Sequence, residues 1–441
     1  MKAVKVISPK KPIQCSIDLP ASKSIANRAL ILQAILPNIT LKNLSQADDT
    51  LLMQYALKSD AADIHLKNAG TCMRFLTAYF ASIHGRKVNL MCEDRMKERP
   101  IKSLVESLRE LGADITYLEK EGYPPLAIQG NKLRGKSITM NASESSQFIS
   151  ALMLIGPSIS NGIEIILEGE ISSKDYIELT AKLMQEFGCK VQFENNKINI
   201  DKSELSTFND FEYAIEADWS SAAFWYQIAA MSHDSQITLN NLSGMSLQGD
   251  KSIAKHFSNQ VETRTISDNI VIHSNQSKIN NQNYPINLKH QPDLAPPLVV
   301  GLSALEIEAK IEGLQNLKIK ESNRLQALHD ELTKLGYAIK IDGNSLEVKH
   351  SGDVNPSTPL RVTSSSIQEL NNQAIQQSVN LKIKNNQIKT YMDHRMAMAF
   401  APLALVFGEV IIENPDVVEK SYPHYWDDLK KAGFGLEFFE V

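Results

Sequence analysis

Six segments of this chain follow one plan, and whatever it folds into must repeat that plan in space. "SLRELGADITYL" around Gly112, "LMQEFGCKVQF" around Gly188, "ELTKLGYAIKI" around Gly336 and "DLKKAGFGLEFF" around Gly433 read alike. Each is the end of an amphipathic helix, a glycine suited to a left-handed C′ position, then an alternating strand. Two weaker copies are "YALKSDAADIHL", with Ala61 at the glycine position, and "AKHFSNQVETRTI", with no glycine there. Roughly forty residues ahead of each stands a helix apolar almost all round, with a polar start. The six are "SKSIANRALILQAI", "AGTCMRFLTAYFASI", "ESSQFISALMLIGP", "DWSSAAFWYQIAAM", "PDLAPPLVVGLSAL" and "DHRMAMAFAPLALVF".

A helix without a polar face has to be buried. Six of them, recurring at intervals of roughly 75 residues through the middle of the chain, predict an α/β fold of two inside-out barrels. It has six repeated α/β units, three per domain, with buried helices and sheets outside. A chain of 441 residues exceeds one ordinary core. We expect a first domain at 21–236, a second formed by 1–20 plus 237–441, and an active site in the cleft between them. The Asn/Ser/Gln-rich stretches at 274–287 and 363–379 read as exposed loops.

Composition narrows the partners. Net charge is −5, with ordinary hydrophobic (43%) and charged (22%) fractions, which argues against a general binder of nucleic acid or membrane surfaces. The opening "MKAVKVISPKKP" has no apolar core of a signal peptide, and "MAMAFAPLALVF" is too short to span a membrane. Cys15, Cys72, Cys92 and Cys189 are scattered and form no C-x-x-C pair, which suits free thiols in a reducing compartment. The histidines show no metal-binding spacing, so no metal is expected. These features point to a cytoplasmic protein acting on small molecules.

The starts of the apolar helices carry the chemistry. Lys23 and Arg28 lie in or near the first two turns of the first one, where the dipole and unpaired N–H groups make a cation cost about 0.3–1 kcal/mol. Gly70 and Thr71 open the second, with Arg74 one turn in; Ser145, Ser146 and Gln147 open the third; Asp218, Ser220 and Ser221 the fourth; His394 and Arg395 the sixth. Ser and Asp are ordinary caps, but capping does not explain cations set against a dipole. "EDRMKERP" adds Arg95, Lys97 and Arg99, "NLKIKESNRL" adds Lys318, Lys320, Glu321 and Arg324, and "VVEKSYPHYW" adds Lys420. Each alone reads as a solvated face. Together they describe a cleft for a small molecule with several phosphate and carboxylate groups.

The stretches "LPASKSIANRA", "NAGTCMRFL", "DRMKERPI", "SSQFISALM", "ISSKDYIELT", "EADWSSAAF", "KESNRLQAL" and "TYMDHRMAMAF" resemble, in order and over nearly the whole chain, the enolpyruvyl transferases, and within them the branch that acts on shikimate 3-phosphate. That resemblance implies two inside-out α/β domains with helix N-termini facing a cleft. It implies transfer of the enolpyruvyl group of phosphoenolpyruvate to the 5-hydroxyl of shikimate 3-phosphate, without a cofactor, by a monomer. By motif, Lys23, Ser24, Arg28, Ser145, Ser146, Ser173, Asp293, Asn316 and Lys320 would meet shikimate 3-phosphate. Lys23, Gly70, Arg95, Gln147, Arg324, Arg395 and Lys420 would surround phosphoenolpyruvate. Lys23, Asp293 as general base and Glu321 as general acid would be catalytic.

The chain departs from the usual pattern in places. It has "ASKS" for "GSKS", Phe75 for a common proline, Asn323 for an aspartate, and a shortened segment between Asp49 and Asn68 that should leave the first repeat without part of its sheet. One rival is the sister enzyme that acts on UDP-N-acetylglucosamine. It typically has "GAKNA" at the first motif, and Cys92 is spaced differently from its loop cysteine. The other is a non-catalytic anion-binding relative, against which Lys23, Asp293 and Glu321 argue.

Overall fold

The computed structural model describes residues 2–36, 38–203, 210–275, 285–349 and 386–440. The loop expected at 363–379, and most of that at 274–287, lie outside the described residues. All six apolar segments form helices: Lys23–Ile35, Gly70–Ser82, Ser146–Ile155, Trp219–Met231, Ala295–Ala304 and His394–Phe400. In the first, every residue from Ile25 to Leu32 is buried. The sixth is shorter than its apolar run because Pro402 cannot continue the hydrogen-bond ladder; a 3-10 turn, Ala401–Leu403, and a short helix, Ala404–Phe407, complete it. Gly112, Gly188, Gly336 and Gly433 all take positive φ (101°, 80°, 90° and 95°), the backbone that ends each outer helix and starts the next strand.

Among the described residues, the strands form six sheets outside these helices. In four-stranded sheets such as Ser137–Asn141, Ile163–Glu168, Lys197–Ile200 and Val191–Glu194, an entry strand pairs in parallel with the strand that follows the buried helix. Two antiparallel strands then complete the sheet. The inward side chains pack on the helix, so Ile163, Ile165 and Leu167 are buried while Glu168 is exposed. The first repeat is the exception: among the described residues its sheet has two strands, Ile39–Lys42 and Phe211–Ala214. "YALKSDAADIHL" does not supply the missing half. Its strand, Asp63–His65, instead enters the second sheet beside Lys87–Met91.

Two entry strands are exchanged. Gln14–Asp18 precedes the first buried helix but pairs in parallel with Gln236–Asn240, which follows the fourth. Phe211–Ala214 precedes the fourth buried helix but pairs with Ile39–Lys42, which follows the first. The two linking segments meet: Ala21 bridges Ala217, the Ser22 amide donates to Glu216 O, and the Asp218 amide donates to Pro20 O. One hydrophobic core runs from Ala21 to Ile215, and a second takes Val4 to Ile17 together with Ala217 to Phe434. The boundary expected at 236 is therefore too late by about twenty residues. Trp219–Met231 packs in the second core, with Phe224 beside Tyr425, and the chain changes core between Ile215 and Ala217.

Candidate active site

The helix starts of both cores converge on one cavity of about 440 Å³, lined by Lys23, Ser24, Arg28, Gly70, Ser145, Ser146, Gln147, Ser173, Asp293, Asn316, Lys320, Glu321, Arg324 and Arg395. None of the six buried helices has an acidic residue in its first turn; the fourth and sixth carry an aspartate at the cap, and the first three present their positive poles without a carboxylate of their own. Ser22 caps the first helix, Ser145 the third, Asp218 the fourth and Asp393 the sixth.

On the wall built by the first core, the Lys23 ammonium lies 3.4 Å from Asp49. Arg28 is buried, and burial lowers its pKa to about 10. Its Nε donates to Thr180 Oγ1 (2.7 Å) and its NH1 to Ser24 O (2.9 Å), while Phe75 packs against the guanidinium, ring centroid 5.4 Å away. Gln147 Nε2 donates to Thr71 Oγ1 (3.1 Å), joining the second and third helix starts. Ser173 has φ 54° and caps Lys174–Glu186 from a left-handed turn, and its amide donates across the cleft to Lys289 O (3.0 Å).

The second core's wall is an ion-pair network around Arg324, which is 1% exposed. Its Nε donates to Asp393 Oδ2 (2.7 Å), NH1 to Asp293 Oδ1 (2.8 Å), and NH2 to Glu321 Oε2 (2.7 Å) and Asp393 Oδ1 (3.1 Å). Lys320 Nζ stands 3.2 Å from Asp293, and Arg395 NH1 donates to Asp293 O (2.8 Å). Burial alone would raise the Asp293 pKa, but Lys320, Arg395 and Arg324 outweigh it and hold the carboxyl well below the usual range. Glu321 is likewise buried, and Arg324, Arg99 and Lys420 hold it ionised. His394, desolvated and near Lys23, is pushed far toward its neutral form. Asn323 caps Arg324–Lys334, so the change from aspartate keeps the cap.

Two expected residues do not line the cavity. Arg95 Nε and NH2 donate across the cleft to Glu321 O and Lys320 O, both at 3.0 Å, and Lys420 Nζ donates to Asn68 O (2.9 Å). They brace one core against the other. Lys97 and Lys318 lie on the surface, bound to Glu119 and to Gly343 O with Asn344. Sequence reasoning missed Asp49, Tyr176 and Asp250. Asp49 sits 3.4 Å from Lys23 and 3.8 Å from Lys420; the Tyr176 hydroxyl lies 3.4 Å from both Asp250 and Asp293. Asp49 had one available signal, an acidic pair opening a helix, Asp48–Lys58, next to a lysine-bearing motif. Tyr176 lies within the motif "ISSKDYIELT", three residues after Ser173; Asp250 had no signal. Among the described residues no helix is long and apolar enough to cross a membrane.

Comparison with known proteins agrees with this geometry. The family model described as EPSP synthase (3-phosphoshikimate 1-carboxyvinyltransferase) matches residues 56–429. The protein named 3-phosphoshikimate 1-carboxyvinyltransferase from Bacteroides fragilis is 41% identical over 438 residues, 99% of each chain. Its namesake from Haemophilus influenzae is 32% identical over 455 aligned positions, 96% of this chain and 98% of the relative. A solved EPSP synthase from Acinetobacter baumannii shares the fold at TM-score 0.76 and 19% identity, with all of both chains covered.

Proposed function

Since this chain belongs to the EPSP synthase family and transfers the enolpyruvyl group of phosphoenolpyruvate to the 5-hydroxyl of shikimate 3-phosphate in aromatic biosynthesis, we propose a division of labour among its cleft residues. The observation that carries it is that one guanidinium, Arg324, touches both Asp293 (2.8 Å) and Glu321 (2.7 Å) where the two walls meet. Asp293, held ionised, takes the proton of the 5-hydroxyl. Glu321 protonates the methylene carbon of phosphoenolpyruvate, which makes the adjacent carbon electrophilic, and the 5-oxygen attacks it. The product keeps a carbon–carbon double bond, so the added proton must leave again as phosphate departs; the Glu321 carboxylate accepts it.

The site's electrostatics set a condition. An acid must be protonated when it acts, yet cations hold Glu321 ionised in the ligand-free cleft. The charges of bound phosphoenolpyruvate offset those cations and let Glu321 take up its proton. Lys23, Ser24, Arg28, Ser145, Ser146, Ser173, Asn316 and Lys320 hold shikimate 3-phosphate. Lys23, Gly70, Gln147, Arg324 and Arg395 surround phosphoenolpyruvate, and Arg95 and Lys420 reach it from the bracing positions. Two mutually repelling polyanions are thereby held in reacting geometry.

The two cores are two domains that close on ligand, hinged where Ala21 bridges Ala217. We further read the protein as a monomeric cytoplasmic enzyme acting on small molecules, without nucleic acid or membrane; its net charge of −5 supports this. Phosphate release measured with shikimate 3-phosphate and with UDP-N-acetylglucosamine tests the reaction. Release is expected only with the first, and release only with the second would overturn the reading. X-ray scattering tests closure: the radius of gyration should fall when shikimate 3-phosphate binds.

A further inference from the structure

The chain crosses between its two cores twice, once between Ile17 and Ala21 and once between Ile215 and Ala217. Both crossings meet at one side chain outside the cavity, Gln248, which is 5% exposed. A carboxamide can accept two hydrogen bonds and donate two, and Gln248 uses all four. Its Oε1 accepts from Ser22 Oγ (3.0 Å) and from the Trp219 amide (3.1 Å). Its Nε2 donates to Ala217 O (2.8 Å) and to Glu216 Oε1 (2.9 Å). Turning the amide over would set donor against donor and acceptor against acceptor, so its orientation is locked. Ser246, in the same loop, accepts from the Gln248 amide (3.0 Å) and donates to Glu216 Oε1 (2.5 Å).

The loop that carries Gln248 is rooted in the second core by Leu242 and Ile253. It also presses on the first: a Cβ on Gly249 would fall 2.2 Å from Asp175 Oδ2, in the first turn of Lys174–Glu186. The bond to Ser22 has a further consequence. A hydroxyl has one proton to give, and giving it to Gln248 leaves the lone pairs of Ser22 for the Ile25 amide, 3.5 Å away. That contact caps the first buried helix, whose opening residues are Lys23 and Ser24. We propose that Gln248 is a positioning residue for the reaction: through Ser22 it ties the helix start that carries Lys23 to the double crossing, and so sets where the Lys23 ammonium stands between the two substrates. This rests on the role of Lys23 given above and adds the residue that places it.

Gln248→Met, which fills the space and makes none of the four bonds, is measured beside Ser22→Ala and the double variant. Lost buried hydrogen bonds lower the melting temperature in any case, so kcat is read where circular dichroism shows each variant fully folded. Gln248→Met should lower kcat roughly 10–100-fold, the effect of a misplaced catalytic group. Calorimetric binding of shikimate 3-phosphate should stay near the wild-type value, because Ser145, Ser146 and Ser173 still hold it. Ser22→Ala should lower kcat less, and the double variant should be no slower than Gln248→Met, since both changes cut one link. A wild-type kcat in folded Gln248→Met, or effects of the two changes that multiply, would overturn the proposal. Should Gln248→Met not fold, a paired exchange decides. Gln248→Glu alone sets two carboxylates face to face and should slow turnover; adding Glu216→Gln restores an amide-to-carboxylate bond and should recover part of it, and no recovery would overturn the proposal. If the wild type released no phosphate, the reaction itself would be wrong. Hydrogen exchange at the Ile25 amide would still test the link: it should quicken in Gln248→Met, and unchanged exchange would count against Gln248 ordering this helix start.

Discussion

On the first core's wall, Arg28, Arg74 and Arg99 have no carboxylate within 4 Å among the described residues; Lys23 is paired with Asp49 at 3.4 Å, and hydroxyls, amides and helix N-termini stand beside them. On the second core's wall, Arg324 alone meets Asp293, Glu321 and Asp393, and Lys320 and Arg395 close in on Asp293. Both walls are cationic and built from the same repeat. The first leaves its arginines without carboxylate partners and so suits the holding of anions. The second neutralises its charge internally and so holds two carboxylates at fixed positions, as proton transfer requires. On the proposed division of labour, the first wall mainly binds and the second carries the chemistry, with Lys23 at the seam.

Three changes should break or sharpen that contrast, the largest effect first. Lys23→Met should lower turnover at least roughly 10³-fold, since the ammonium faces both substrates. It should leave the melting curve unchanged, because Asp49 keeps Lys420 at 3.8 Å. Normal activity with a normal melting curve would remove Lys23 from the site. Arg324→Met should cost about 3–5 kcal/mol in urea unfolding, because it leaves three buried carboxylates without their shared cation. The same truncation on the first wall, at Arg99, should cost nothing.

The third concerns pH. Burial raises the Asp250 pKa from 3.8 to about 6. The folded state therefore binds that proton more tightly than the unfolded chain. Asp250 leaves stability intact below about pH 4, and its burial penalty grows as pH rises through 6. Asp250→Asn should gain about 1–3 kcal/mol at pH 7.5 and nothing at pH 4, as read by urea unfolding at the two values. Asp293 and Glu321 act with the opposite sign: their pKa values are lowered, so their contribution is present above pH 4–5 and lost as acid protonates them.

Much of this was readable in the chain. Apolar helices with small polar starts, and the glycines that end the outer helices, are local signals, and all six helices formed where they were read. The site residues were reached by motif, and fourteen of the sixteen line the cavity. What was not readable depends on pairing between distant segments. Nothing in "FEYAIEADW" says that its strand pairs with Ile39–Lys42 while the helix that follows packs in the other core, and this exchange is why the boundary was set too late. Likewise "DRMKERP" holds two arginines at i and i+4, and only the packing shows that Arg95 braces the cleft while Arg99 faces into it. Tyr176 lies in the first turn of Lys174–Glu186 and Asp250 in a short 3-10 turn, Gly249–Ser252, neither of them among the six apolar helix starts on which the sequence reading was built.

The division between the walls is tested most directly by pairing single-turnover kinetics with calorimetry on one variant of the first wall and two of the second. Ser145→Ala should weaken shikimate 3-phosphate binding roughly 10–100-fold by removing one hydrogen bond to a charged group, and leave the chemical step near its wild-type rate at saturation. Asp293→Asn and Glu321→Gln should slow the chemical step by roughly 10²–10⁴-fold while shikimate 3-phosphate still binds. If the second-wall variants lost binding and kept their rate, or Ser145→Ala slowed chemistry as much as they do, the two walls would not divide the work.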